Sequence, residues 1–141
     1  MSKALFTFGY EGAQLPEVLA KLSAARVQIV LDVRELPLSR RRGFSKTPLS
    51  AALAAAGIAY AHLRRAGNPA RKLRKTVGAA AMRASYRAHL ADDGGIVPLV
   101  ADAARGKRAA LMCFEADPLA CHRSVLGARV AKRLGAKLVH L

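Results

Sequence analysis

Five short apolar runs, set apart by segments with helical spacing, constrain what this chain can fold into more than any other feature of its sequence. The runs are Ala4 to Tyr10, Val27 to Leu31 with Asp32 at its end, Ile58 to His62, Ala109 to Cys113 and Lys137 to Leu141. Each is a stretch of strand length. Between the first two, Leu15, Val18, Leu19 and Leu22 recur at the spacing of one helical face, with Pro16 tolerated in the first turn. Thr47-Pro48 reads as N-cap and first position of an alanine-rich helix closed by Gly57. A basic connection over residues 63–78 turns at Gly67-Asn68-Pro69 and leads to a helix from about Ala79 to Leu90, ended by Asp93-Gly94-Gly95. A short helix near Pro98 to Ala104 follows. Asp117-Pro118 starts the last one, whose buried face is marked by Leu119, Leu126, Val130 and Leu134 and whose end is Gly135. Strands alternating with helices predict a three-layer α/β fold, a mostly parallel sheet with helices on both faces.

Composition narrows the class. At 141 residues and 52% hydrophobic content the chain can bury a core, which excludes disorder through weak hydrophobicity and predicts one domain spanning residues 1–141. No apolar run approaches the roughly 20 residues of a membrane helix, and the opening MSKALFTFGY lacks the basic and apolar regions of an export signal. Two cysteines, Cys113 and Cys121, do not make a disulfide framework. A cytoplasmic protein with no membrane partner is the expectation.

The net charge of +15 is unevenly spread: residues 34–75 hold eleven basic side chains and one acidic one, Glu35. Arg34, Arg40, Arg41, Arg42, Lys46, Arg64, Arg65, Arg71, Lys72, Arg74 and Lys75 make up this run, mostly in segments that read as loops. Such a stripe draws phosphate-bearing partners, because each neutralised phosphate releases condensed counterions. It would equally serve as a solvated face that keeps the protein dissolved. With four Phe, three Tyr and no Trp, a base-stacking platform for single strands is disfavoured.

Open parallel sheets bind ligands beyond the carboxyl ends of their strands, and here those ends are polar. The runs finish in Tyr10-Glu11-Gly12, Asp32-Val33-Arg34, His62 and Cys113-Phe114-Glu115. In a parallel sheet Glu11, Asp32, Arg34, His62, Cys113 and Glu115 would converge on one edge. Taken singly, each also has a structural use: Asp32 in a turn, His62 as a hydrogen-bonded core histidine, Cys113 as a small core residue. The densest stretch, Cys113 to Ser124, joins the fourth strand to the last helix. If Pro118 is the first helical residue, Cys121, His122 and Arg123 lie near free backbone N–H groups, where a thiol pKa falls and Arg123 can clamp an oxyanion. Asp117 as N-cap would compete for those groups. Cys113, Cys121, His122 and Glu115 are competent zinc ligands, but there is no C-x-x-C pair, and consecutive Cys121 and His122 project about 100° apart on a helix. No metal is therefore expected. Glu115 and Asp117 could serve acid-base chemistry or hold magnesium against a phosphate.

Several blocks together resemble a known grouping. Thr7-Phe8-Gly9-Tyr10-Glu11-Gly12, Leu31-Asp32-Val33-Arg34 with Pro37 and Ser39-Arg40, and Gly43-Phe44-Ser45-Lys46 look like the bacterial family called domain of unknown function 488. Gly57 to Leu63, Gly67-Asn68-Pro69 and Cys113-x-Glu115-x-Asp117-Pro118-x-x-Cys121-His122-Arg123 continue the likeness over nearly the whole chain. Ala66 departs from the leucine usual there, which predicts looser packing of that loop. The family has no settled activity to carry over. Ile29 to Glu35 is also similar to the opening strand of rhodanese domains. The strand closing on Cys113, with Arg123-Ser124 opening a helix to Gly135, looks like a rhodanese active loop carrying extra residues. That likeness implies sulfur or phosphoryl chemistry at a cysteine held in a cradle of backbone amides.

The leading expectation is an enzyme acting on a phosphorylated substrate, a nucleotide or nucleic acid. Arg34, Arg40, Arg42, Lys46 and Arg123 would bind the anion, and Asp32, His62, Glu115, Cys121 and His122 would carry the reaction. Tyr10, Glu11, Cys113 and Asp117 would line the site. The competing expectation is a non-catalytic nucleic-acid-binding module that uses residues 34–75.

Overall fold

Strand β4 (Ala109–Cys113) runs through the middle of the molecule, and all five of its residues are buried. The computed structural model describes residues 3–141, the side chains of 73–75 excepted, so those of Arg74 and Lys75 in the basic run lie outside the described residues. Beside β4 lie β1 (Ala4–Gly9) and β2 (Ile29–Asp32), with β3 (Ala59–His62) and β5 (Lys137–His140) at the edges, in the order β3-β2-β4-β1-β5. Every pairing is parallel, which makes the sheet wholly rather than mostly so. Central β2 reads Ile-Val-Leu-Asp and is buried throughout, the apolar run that a strand covered on both faces demands. Edge strands β3 and β5 are partly exposed.

Helices cover both faces, as the alternation predicts. Helices α1 (Leu15–Ala24) and α2 (Lys46–Ala55) bring Val18, Leu22, Leu49 and Leu53 onto Phe6, Phe8, Val30 and Met112. On the opposite face α3 (Arg74–Asp92), α4 (Ile96–Ala104) and α5 (Arg123–Leu134) pack Tyr86, Val100, Leu126 and Val130 against Leu5, Leu31 and Leu111. Successive strand residues thus face opposite cores, the period-two consequence of strand geometry.

Several local expectations are corrected. The cap of α2 is Ser45, and Thr47-Pro48 lies inside the first turn. The Ser45 hydroxyl does not close that helix but joins Ser39, accepting from its N–H at 3.0 Å and donating to its carbonyl at 3.2 Å. The basic connection carries two 3-10 turns, Arg64–Ala66 and Arg71–Leu73, and a short helical segment that breaks at Gly78 (φ 85°) precedes the helix expected from about Ala79. Asp117 caps as expected, its Oδ1 accepting from the Leu119 N–H at 2.9 Å, but it opens only a 3-10 turn, Pro118–Ala120. At Cys121 the backbone is extended (φ −133°, ψ 146°), and α5 starts anew at Arg123. The break draws Cys121 into the core and leaves Leu119, expected to be buried, 60% exposed. Ala66, where looser packing was expected, is fully buried, and its carbonyl accepts from the Tyr86 hydroxyl at 2.7 Å.

Two features hold the carboxyl edge. The Asp32 carboxylate, with no exposed surface, accepts from Arg34 through Nε at 2.8 Å and Nη2 at 2.7 Å, from the Arg34 backbone N–H at 3.1 Å and from the Tyr60 hydroxyl at 2.5 Å. Gly9, paired with Cys113 at the ends of β1 and β4, has no room for a side chain: a Cβ there would lie 1.7 Å from the Glu115 carbonyl oxygen. Removing the acid strands a buried cation, so Asp32→Ala should cost about 3–5 kcal/mol, and Asp32→Ala combined with Arg34→Met should recover much of it. Gly9→Ala should cost about 3 kcal/mol by forcing the loop after β4 away. Urea midpoints at unchanged m-value measure all three.

Candidate functional site

The sheet has a switch point at β4. The chain leaving β1 and β2 crosses the face of α1 and α2, whereas the chain leaving β4 crosses the face of α5, so the loops part over the ends of these three strands. A crevice forms where loops diverge in this way. Cys113, the last residue of β4, lies at its bottom.

Arg123 sets the shape of the loop above. Its side chain has no exposed surface, and its Nε donates to Thr7 Oγ1 at 3.2 Å, its Nη1 to the Glu115 carbonyl and its Nη2 to the Ala116 carbonyl at 3.2 Å. Glu11 closes the other side: its Oε1 accepts from the Ala116 N–H at 3.1 Å, and its own N–H donates to the Phe114 carbonyl at 2.8 Å. The amides of Leu119, Ala120 and Cys121 are spent within the 3-10 turn. These three amides are therefore taken up and do not contribute to the anion cradle that the rhodanese likeness implies.

The extended backbone at Cys121 decides the chemistry. Instead of projecting 100° apart on a helix, Cys121 and His122 bring Sγ and Nδ1 to 3.7 Å, and Cys113 Sγ lies 3.8 Å from the same nitrogen. The His122 Nε2 is 2.8 Å from the Val33 carbonyl oxygen. A carbonyl only accepts, so Nε2 carries hydrogen and Nδ1 presents its lone pair to the two thiols. Burial works against a charged His122, but the charge and hydrogen bond of Cys121, with the Val33 carbonyl and Glu115, outweigh it and raise its pKa. Burial likewise opposes a Cys121 thiolate, and the Cys113 hydrogen bond with the neighbouring His122 and Arg123 overcomes it, lowering that pKa. Cys113 moves the other way: its bond to Cys121, its burial and the charges of Cys121 and Glu115 keep it a thiol, 3.5 Å from Glu115 Oε2.

A cavity of about 690 Å³ opens over this cluster. Cys113, Glu115 and His122 form its floor, and Arg40, Arg41, Arg71 and Lys72 stand on its walls. Leu36, Leu38 and Phe114, all exposed, give it an apolar lip. Tyr10 and Glu11 also line it. Of the other residues anticipated from the sequence, Arg34 reaches the cavity but its guanidinium is held by Asp32, by Tyr10 Oη at 3.0 Å and by the Phe44 carbonyl at 2.7 Å. Burial disfavours its charge, and Asp32 and Tyr10 more than restore it, raising its pKa. Asp32 and Cys121 are buried behind the cavity rather than on its surface, His62 donates Nε2–H to the Arg34 carbonyl at 2.8 Å, and Arg123 is consumed by the loop. Arg42, Lys46 and Asp117 are exposed and outside it.

Arg41, Asn68, Arg71 and Lys72 are among the lining residues that the anticipated site lacks. Arg41, Arg71 and Lys72 were visible only as charge, and Arg41 also donates to the Ala13 carbonyl at 2.9 Å and 2.5 Å. Asn68 belongs to the Gly67-Asn68-Pro69 turn, and a Cβ on Gly67 would lie 2.5 Å from the Glu35 backbone, so this turn is pressed against the segment after β2.

Among the described residues no helix is long and apolar enough to cross a membrane. Searches of curated proteins and of solved structures each find no match. The family model for the domain of unknown function DUF488 matches residues 14–130. That span covers most of the elements described above, including every strand end at the cavity but that of β1, and the protein belongs to the DUF488 family.

Proposed function

We propose that this protein is an enzyme acting on a phosphate-bearing substrate of nucleotide size, bound in the cavity at the carboxyl edge of the sheet. One observation carries the reading: the reactive floor of Cys113, Glu115 and His122 and the cationic walls of Arg40, Arg41, Arg71 and Lys72 open on the same space. The volume lies within the range of small-ligand sites, roughly 300–1,000 Å³. Charge-assisted bonds from guanidinium and ammonium groups are the strong contacts for phosphate. The apolar lip of Leu36, Leu38 and Phe114 suits a ring attached to that phosphate.

The walls do not share their charge equally. Arg71 Nε lies 3.5 Å from Glu35 Oε1 and Arg41 serves the Ala13 carbonyl, whereas Arg40 and Lys72 have no ion pair among the described residues. Arg40 and Lys72 are therefore assigned to the anion. Arg34, Arg123 and Asp32 hold the walls in place and leave chemistry to the floor.

A second reading rests on a separate observation. Arg42, Lys46 and Arg64 are exposed beyond the cavity, so the positive field extends past a small ligand and would suit a nucleic-acid strand.

Arg40→Ala with Lys72→Ala should weaken binding of nucleoside phosphates, followed by calorimetry, by about tenfold or more. Cys113→Ser should preserve that binding while cutting turnover of a nucleoside phosphate by about 10²-fold or more. Binding that ignores Arg40 and Lys72, or no binding at all, would reject the cavity as a phosphate site. If Arg42, Lys46 and Arg64 instead govern oligonucleotide affinity, each loss lowering the salt slope by about 1, the binding-module reading replaces the enzymatic one.

A further inference from the structure

We propose that Cys113, Cys121 and His122 bind one zinc-class divalent ion at the floor of the cavity, with the fourth coordination position open to that cavity. Their two Sγ atoms and one ring nitrogen lie within 4.8 Å of one another, and all three residues are buried. A tetrahedral zinc with bonds of about 2.3 Å to sulfur and 2.0–2.1 Å to nitrogen separates sulfur from nitrogen by about 3.6 Å. The Sγ to Nδ1 distances here, 3.7 Å and 3.8 Å, need to close by only a few tenths of an ångström.

The surroundings are those of a ligand set. His122 gives its Nε2–H to the Val33 carbonyl, which fixes the ring and directs the Nδ1 lone pair at the two sulfurs, the usual outer-shell support of a metal-bound imidazole. The Arg123 backbone N–H points at Cys121 Sγ from 3.5 Å and offsets thiolate charge. The Tyr86 ring, 4.8 Å from that of His122, walls the far side with a fully buried aromatic face. Two thiolates and an imidazole are soft to intermediate donors, which select zinc over magnesium or calcium. Cys113 and His122 line the cavity and Cys121 lies behind them, so the ion's fourth position faces the space where substrate enters. Three protein ligands with an open position are the pattern of catalytic rather than structural zinc. Glu115, whose Oε2 is 3.5 Å from Cys113 Sγ, stands beside that position.

Binding is balanced in charge and protons. Two protons leave for solvent, one from Cys113 and one held between Cys121 and His122. The dication and two thiolates then make a site of zero net charge. What the fourth position accepts, a phosphate oxygen or the water that attacks it, rests on the function proposed above; uptake of the ion does not.

The test uses the full chain freed of metal by chelation and titrated with cobalt(II) alone, followed by displacement with zinc. One equivalent should bind, with a thiolate-to-cobalt charge-transfer band, visible bands of tetrahedral intensity and release of two protons per ion. Cys113→Ser should weaken uptake by more than about a hundredfold, beyond the loss caused by removing an outer-shell partner, and Glu115→Gln should leave the spectrum intact. X-ray absorption of the wild-type zinc form, which needs no variant, should find two sulfurs near 2.3 Å and a nitrogen at about 2.0–2.1 Å. Uptake equal in wild type and Cys113→Ser, an octahedral spectrum, or a zinc shell without sulfur would overturn the site. Inorganic phosphate shifting the cobalt bands supports both proposals. Metal uptake without phosphate or nucleoside phosphate binding removes the enzymatic reading alone, and anion binding without metal uptake removes the metal site alone.

Discussion

A guanidinium with no exposed surface governs the architecture at the carboxyl edge. Burying a cation costs several kcal/mol unless its donors are matched, and among the described residues no carboxylate pairs with Arg123. Its donors go instead to Thr7 on β1 and to the Glu115 and Ala116 carbonyls. Satisfying one charge therefore ties the start of α5, the central strand pair and the loop after β4 into one unit. The same arrangement presses Glu115 so close to β1 that only glycine fits at position 9. The loop that carries the cluster is thus positioned by buried polar bonds, which tolerate little displacement.

A second buried cation has a different office. Arg34 is neutralised by Asp32 and shared with Tyr10 and Phe44, and Tyr10 stacks on Phe44 at 4.4 Å between ring centres. This network joins the ends of β1 and β2 and the segment before α2 into one wall of the crevice. Asp32 also keeps Tyr60 protonated: burial and the Asp32 hydrogen bond and charge raise its pKa. Charged residues at a strand end invite a catalytic reading, yet here their bonding capacity is used up in holding the walls. Arg40 and Lys72 on the walls make no ion pair among the described residues, and the sulfur and imidazole donors lie below them.

Cys113 and His122 reached the cavity by different routes. Cys113 is there because β4 ends there, and a parallel strand delivers its last residue to the carboxyl edge without further help. His122 is there because the helix expected from Asp117-Pro118 stops after one 3-10 turn. Had the helix continued, Cys121 and His122 would have diverged. The chain instead places Cys121 in the core and re-enters helix at Arg123, whose buried bonds offset the interruption.

The alternation of strand and helix, the parallel sheet, the polar strand ends and the family grouping could all be read from residue order, because period-two and period-3.6 patterns and Gly and Pro punctuation are local properties of a chain. Cys113, Glu115, Tyr10 and Glu11 followed from that reading, since strand ends in a parallel sheet share one edge. The roles of Asp32, Arg34 and Arg123 did not, because whether a charged group faces solvent or is consumed by buried partners depends on contacts as much as 116 positions apart in the chain, as between Arg123 and Thr7. Nor could the Cys113, Cys121 and His122 cluster be read from spacing: it arises from one extended residue at Cys121, and burial in the assembled core, a tertiary effect, overrode the local helix signal there.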